Sequence, residues 1–178
     1  MNPEPQTAGT VPPPRDHSGP YRIVLVCLGN ICRSPTAEVL LREELSKAGL
    51  DGKVQVESAG TGDWHLGEPM HRGARVELAR RGLDGSTHRA RQIGRSWLAD
   101  YDLLLAMDRH NLASLQRMAV GDPELAGRIQ LMLSFDPESE QGAEVPDPYD
   151  GSPAEFAEVF DLLEPAARGV AAQLAAML

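Results

Sequence analysis

The chain is poor in the residues that would commit it to a secreted, membrane or nucleic-acid role. Its two cysteines, Cys27 and Cys32, are too few and too close together to staple a secreted fold or to furnish a four-ligand zinc site. That scarcity fits a reducing compartment and leaves room for a reactive thiol. Positive charge is also short, with 17 Lys and Arg against 26 Asp and Glu and a net charge of -9. Nonspecific attraction to nucleic acid or to an anionic membrane is therefore disfavoured, and any anion must be bound through a local arrangement. No stretch approaches the ~20 apolar residues that span a bilayer, and no basic region leads into an apolar core at the start. No repeat at a fixed period is present, which excludes a solenoid. A cytoplasmic monomer without metal or cofactor is the expectation.

What is present suffices for one domain, since 178 residues bury a core without disulfides. Residues 1–20 hold six of the 14 prolines and few large apolar side chains, the composition of a disordered leader, so the domain is assigned to residues 21–178. Pro12, Pro13 and Pro14 complete no P-x-x-P spacing with another proline, which argues against a Pro-rich ligand.

From Tyr21 the pattern changes. Ile23-Val24-Leu25-Val26 is a short apolar run of the kind buried on both faces of a parallel sheet. After a short loop, Ser34 and Pro35 suit a helix start, and Ala37, Leu40, Leu41, Leu45 and Ala48 repeat at helical spacing as far as Gly49. Further strands are expected over 54–58, 102–106 and 128–133, and helices over 73–81 and 109–120. Ser152-Pro153-Ala154-Glu155 has capping-box form and opens a last helix, marked by Phe156, Val159, Phe160, Leu163, Ala167, Val170 and Leu174, that Pro165 should kink or break near Glu164. Strands alternating with helices predict an α/β fold, an open four-stranded parallel sheet with helices on both faces, doubly wound and flavodoxin-like. Ligands of such sheets bind beyond the carboxyl ends of the strands, and Cys27 sits at one such end.

The segment Cys27-Leu28-Gly29-Asn30-Ile31-Cys32-Arg33-Ser34 joins that strand to that helix. A tight loop there can turn successive backbone N–H groups inward, and the helix start adds its positive dipole end, so the loop attracts a dianion without a basic surface. Gly29 and Asn30 are residue types that tolerate positive φ. Arg33 offers a planar fork to two phosphate oxygens. The same field favours the thiolate of Cys27, which can attack phosphorus directly. Ser34 can hydrogen-bond that thiolate, or it can be a plain helix cap; Cys27 itself could instead be an ordinary buried thiol.

Val26 to Pro35 as a string resembles the signature loop of the low-molecular-weight protein-tyrosine phosphatases. The resemblance implies hydrolysis of phosphotyrosine esters through a phosphocysteine on Cys27, with Arg33 binding phosphate and Cys32 as a redox partner of the nucleophile. Asp147, in Val145-Pro146-Asp147-Pro148-Tyr149-Asp150-Gly151, is by itself as readily a turn aspartate on a proline-stiffened loop; the family's Asp-Pro-Tyr motif makes it the general acid and then the base. Tyr149 and Trp64 match the aromatic walls of the family cleft, and Asp150 stands where many members carry a second tyrosine. Ser58, His88, Asn30 and Ser34 match a polar network behind the loop, and Asp108 an acidic position beside the arginine. The matches run from Tyr21 to about Leu163.

Three rivals share the loop. An arsenate reductase needs further cysteines, and none follows Cys32. A phosphoarginine phosphatase implies threonine where this chain has Ile31. Against a phosphotyrosine-binding module without turnover stand Cys27, Arg33 and Asp147, all intact. The expected partner is a phosphotyrosine-containing protein.

Overall fold

The apolar run around Val24 forms the strand β1 (Tyr21–Cys27), buried along nearly its whole length. The structure, a computed structural model, describes residues 8–15 and 18–178. β1 lies between two parallel neighbours, β2 (Val54–Gly60) and β3 (Leu103–Ala106), and β4 (Ile129–Leu131) completes the sheet in the order β2-β1-β3-β4. The chain first adds β2 on one side of β1 and then crosses to add β3 on the other. Strand order therefore reverses at β1, and the connections leaving its carboxyl end part company, opening a crevice there.

Period-two alternation divides β1 between two cores. Ile23, Leu25 and Cys27 face a layer built from α1 (Arg33–Lys47), α2 (Arg72–Arg80) and α5 (Pro153–Met177), while Val24 and Val26 face α3 (Arg109–Met118) and α4 (Pro123–Ala126). α1 presents Ala37, Leu40, Leu41 and Leu45 to the first core, and α5 presents the apolar face expected of it. The expected sheet and its two helical layers are those observed.

Several local expectations need correcting. Ser34 is not a cap: Cys32 stands at the helix boundary without a side-chain cap, and Ser34 lies inside the first turn of α1. α5 opens with the Ser152–Glu155 capping box, Glu155 Oε2 accepting from Ser152 N at 2.6 Å, but it runs unbroken through Pro165. Buried contacts on both sides of the proline, Phe160 and Leu163 before it and Val170 and Leu174 after it, outweigh one lost backbone hydrogen bond. The strand expected over 128–133 stops at Leu131, where a 3-10 turn, Met132–Phe135, takes over. α4 was too short for periodicity to show, although Asp122 caps it at Leu125 N (3.0 Å) and Pro123 opens it.

The solvated-leader expectation does not hold for residues 8–15, which lie against β4, α5 and the segment before β3. Gly9 N donates to Ser134 O at 2.8 Å, Val11 N to Gln173 Oε1 at 2.7 Å, and Arg15 N to Asp102 Oδ1 at 2.7 Å. Tyr21 Oη and Arg128 Nη1 donate back to Pro12 O and Pro13 O, and Val11 is buried. Prolines carry no N–H to satisfy, so their carbonyls serve a strap held by side chains of the domain. Residues 1–7, 16 and 17, the rest of the expected leader apart from 18–20, lie outside the described residues.

Candidate active site

Cys27 ends β1 at the crevice, and the chain returns to the first turn of α1 within five residues. Asn30 makes that reversal possible: among the described residues it is the one non-glycine with positive φ, 57°. Gly29, expected to share that conformation, does not; its missing side chain instead leaves room for His65, whose Cδ2 would lie 3.1 Å from a Cβ.

Asn30 also fixes the loop's polar interior. Its Oδ1 accepts from Arg91 N at 3.0 Å, which orients the amide so that Nδ2 donates to Ser34 Oγ at 2.9 Å and Ser58 Oγ at 3.0 Å. Ser34 Oγ, accepting from Asn30, keeps its own hydrogen for Cys27 Sγ at 2.9 Å. Asn30 N adds a donor at 3.3 Å from the same sulfur. Behind the loop, His88 Nε2 donates to Asn30 O at 2.6 Å; burial holds this imidazole below its ordinary value, so it serves as a neutral Nε2–H donor.

Arg33 is nearly inaccessible and held from outside the loop. Nη1 donates to Asp108 Oδ2 at 2.7 Å and to Val145 O at 3.1 Å, and Nη2 lies 3.7 Å from Asp147 Oδ2. Burial works against the charge, but Cys27, Asp108 and Asp147 outweigh it and raise the guanidinium further above its usual range. Asp108 is shared, since its Oδ1 caps α3 at Asn111 N (2.7 Å) while its Oδ2 holds Arg33. The loop bearing Asp147 is tied to the same strand end by Val145 N, which donates to Met107 O at 2.9 Å. Within it, Asp147 Oδ1 accepts from Tyr149 N at 3.1 Å, and Pro146 and Pro148 stiffen the flanks.

These parts surround a cleft of about 510 Å³. Cys27, Leu28, Gly29, Ile31, Cys32 and Arg33 form its floor, and Trp64, Asp147, Tyr149 and Asp150 line its sides. Trp64 is 68% exposed and lies over Gly62, where any Cβ would collide with the indole. Burial first, and then the neighbouring Cys27 and Asp147, push the Cys32 thiol up to about 12. Cys32 is thus a neutral thiol at pH 7, and both cysteines are free. The sequence-predicted residues are brought together here, with Asn30, Ser34, Ser58 and His88 behind the floor and Asp108 behind the arginine.

Sequence reasoning missed His65 and His71, and read Glu155 as part of the capping box alone although it also lines the cleft. His65 lines the cleft, its ring centroid 5.6 Å from that of Tyr149, and Nδ1 pairs with Glu68 at 2.8 Å. His71 supports Tyr149 from the other side at 5.5 Å while accepting from Gly73 N to cap α2. Adjacency to Trp64 was a signal for His65; nothing in the sequence singled out His71. Among the described residues no group of three or more His, Cys, Asp or Glu side chains is placed to hold a metal ion, and no helix is long and apolar enough to cross a membrane.

The geometry can bind a dianion at the loop, expose its central atom to a sulfur nucleophile and place a carboxyl above it. A sequence model of the low molecular weight phosphotyrosine protein phosphatases matches residues 22–177. A low molecular weight protein-tyrosine-phosphatase of Streptomyces coelicolor is 41% identical over 153 residues, 85% of this chain and 92% of that protein. The crystal structure of YfkJ from Bacillus subtilis superposes with a TM-score of 0.81 at 37% identity, covering 89% of this chain and 96% of that one. The YwlE arginine phosphatase, solved as a mutant with a phosphorylated active-site serine, is also similar, with a TM-score of 0.74 and 27% identity over 86% of this chain and 95% of that one.

Proposed function

The chain belongs to the low-molecular-weight phosphotyrosine protein phosphatase family of phosphoric monoester hydrolases, and from that premise we propose that it hydrolyses phosphotyrosine on proteins through a phosphocysteine at Cys27. The observation that carries the assignment is the pair of donors on Cys27 Sγ, the Ser34 hydroxyl at 2.9 Å and Asn30 N at 3.3 Å, beside a guanidinium fixed by Asp108. Both donors suit a thiolate.

In the first step the Cys27 thiolate attacks phosphorus and a P–S bond forms as the P–O bond to the tyrosine breaks. The electron pair leaves on the phenolate oxygen, which takes a proton from the Asp147 carboxyl. Arg33 and the loop N–H groups hold the three equatorial oxygens, over which the charge is spread as phosphorus passes from oxygen to sulfur. In the second step the Asp147 carboxylate takes a proton from water, the water oxygen bonds to phosphorus, and the P–S bond breaks. Ser34 donates to the departing thiolate, and inorganic phosphate leaves.

Cys27→Ser should abolish hydrolysis of p-nitrophenyl phosphate, and Asp147→Ala should slow it by about 10²- to 10⁴-fold while phosphate still binds as a competitive inhibitor. Full activity of Cys27→Ser, or loss of wild-type activity in chelator, would overturn the mechanism. The likeness to an arginine phosphatase makes phosphoarginine the second candidate ester. Against it, Ile31 puts an apolar side chain on the cleft floor and Tyr149 an aromatic face on its wall; phosphotyrosine, phosphoserine and phosphoarginine peptides assayed side by side decide. The acidic, cysteine-poor composition supports a cytoplasmic monomer, which sedimentation tests.

A further inference from the structure

The cleft carries a charge pattern that phosphate chemistry does not need. Asp150 and Glu155 line it together with Cys27 and Asp147, and neither holds Arg33, which Asp108 and Asp147 already match. Glu155 is fixed by its bond to Ser152 N at 2.6 Å. Asp150 is exposed and has no hydrogen-bond or ion-pair partner among the described residues. Among the described residues Arg33, in the floor, is the one Lys or Arg that lines the cleft. The dianion is therefore gripped at short range by backbone donors and one guanidinium, while the rim above it is negative.

A rim of that sign discriminates among phosphopeptides. Residues flanking the phosphotyrosine pass close to Asp150, where acidic neighbours meet repulsion and basic neighbours find a carboxylate with no prior partner. An aromatic residue at the same position would carry no formal charge, leaving a cation–π attraction for basic neighbours but no comparable repulsion of acidic ones. We propose that Asp150, with Glu155 as the fixed second charge, selects phosphotyrosine sites flanked by lysine or arginine. The inference deepens the phosphatase reading and rests on it.

The test uses three phosphotyrosine peptides of the same sequence with Lys, Ala or Glu on both sides of the tyrosine. Wild-type kcat/KM should fall in the order Lys, Ala, Glu at low salt. An exposed pair shifts an equilibrium by about 1.4- to fivefold, and the Lys-to-Glu contrast compounds an attraction with a repulsion, so Asp150→Asn should shrink the ratio by about twofold or more. Salt at 1 M, where screening acts within about 3 Å, should shrink the wild-type ratio likewise. Glu43→Gln, on an exposed part of α1 away from the cleft, should leave the ratio unaltered. An equal ratio in wild type and Asp150→Asn, or a preference for Glu, overturns the selection. Wild-type turnover of p-nitrophenyl phosphate separates the two ideas: without it the phosphatase reading falls, and with it charge-blind peptide kinetics remove only the role of Asp150.

Discussion

Replacing Asn30 tests how far one buried amide holds the nucleophile in place. Asn30→Ala removes the bonds from Nδ2 to Ser34 Oγ and Ser58 Oγ and leaves Arg91 N without its acceptor, all at a fully buried position. Three neutral hydrogen bonds at about 1 kcal/mol each give roughly 3 kcal/mol. Alanine at φ 57° adds about 1 kcal/mol, because its Cβ crowds the next carbonyl and no polar side chain compensates. The expected loss is ~3–5 kcal/mol, read as a lower midpoint in urea at unchanged slope. Asn30→Gly loses the same bonds without the φ penalty and should be about 1 kcal/mol more stable than the alanine variant. Both should lower kcat for p-nitrophenyl phosphate by about 10²-fold, since Ser34 is then free to turn its hydrogen away from Cys27 and the loop shifts under the phosphate. A loss below about 1 kcal/mol in Asn30→Ala, or a glycine variant no more stable than the alanine one, would refute this account of the loop.

A chain lacking residues 1–15 should unfold about 2 kcal/mol more easily, since the strap's several hydrogen bonds are offset in part by the entropy of ordering it, with kcat/KM unchanged because Gln173, Asp102 and Arg128, which hold it, do not line the cleft; a fall in kcat/KM would place the strap in the catalytic unit. Gly60→Ala puts a Cβ 2.6 Å from Leu28 O and 3.2 Å from Asn30 N, so the loop must move and kcat should drop at least tenfold; wild-type kinetics would mean that the loop yields freely. Burial lowers the His88 pKa in the folded state, so between that value and the ordinary 6.5 the unfolded chain binds more protons. The stability this contributes is complete above pH 6.5 and is lost as pH falls through the folded value. Urea midpoints should therefore decline less between pH 7 and pH 5 in His88→Asn than in wild type, and parallel declines would exclude His88 as the titrating group.

The fold was legible wherever burial imposes a pattern on neighbouring residues. β1 reads as an unbroken apolar run because helices cover both its faces, and the face of α5 reads at helical spacing because one side of it meets the core. Pro165 misled because a local rule about one lost hydrogen bond says nothing of the buried contacts on either side of it. The strap misled for a related reason: Pro12 and Pro13 have the composition of a solvated segment, yet their carbonyls are bonded by Tyr21 and Arg128, side chains that no local reading would pair with them.

The site divides along the same line. Its nucleophile half is contiguous: strand end, loop, arginine and helix start lie within Cys27 to Ser34, so thiol, amides and guanidinium could be read together. The acid half is assembled by tertiary contacts. Asp147 reaches the arginine because Val145 is tethered twice, its N–H to Met107 at the end of β3 and its carbonyl to Arg33 itself. Asp108 is drawn in by bonding at once to the amino end of α3 and to the guanidinium. Neither tether has a sequence signature, so from the residues alone Asp147 is a turn aspartate between prolines, and only resemblance promotes it. The same holds for Asp150, which sequence comparison marks merely as a missing aromatic; its meaning as a charge depends on lining the cleft together with Glu155 while Arg33, the one Lys or Arg of the lining among the described residues, is matched by Asp108. Charge selection at the rim is thus a property of the assembled cleft and not of the motif that builds its floor.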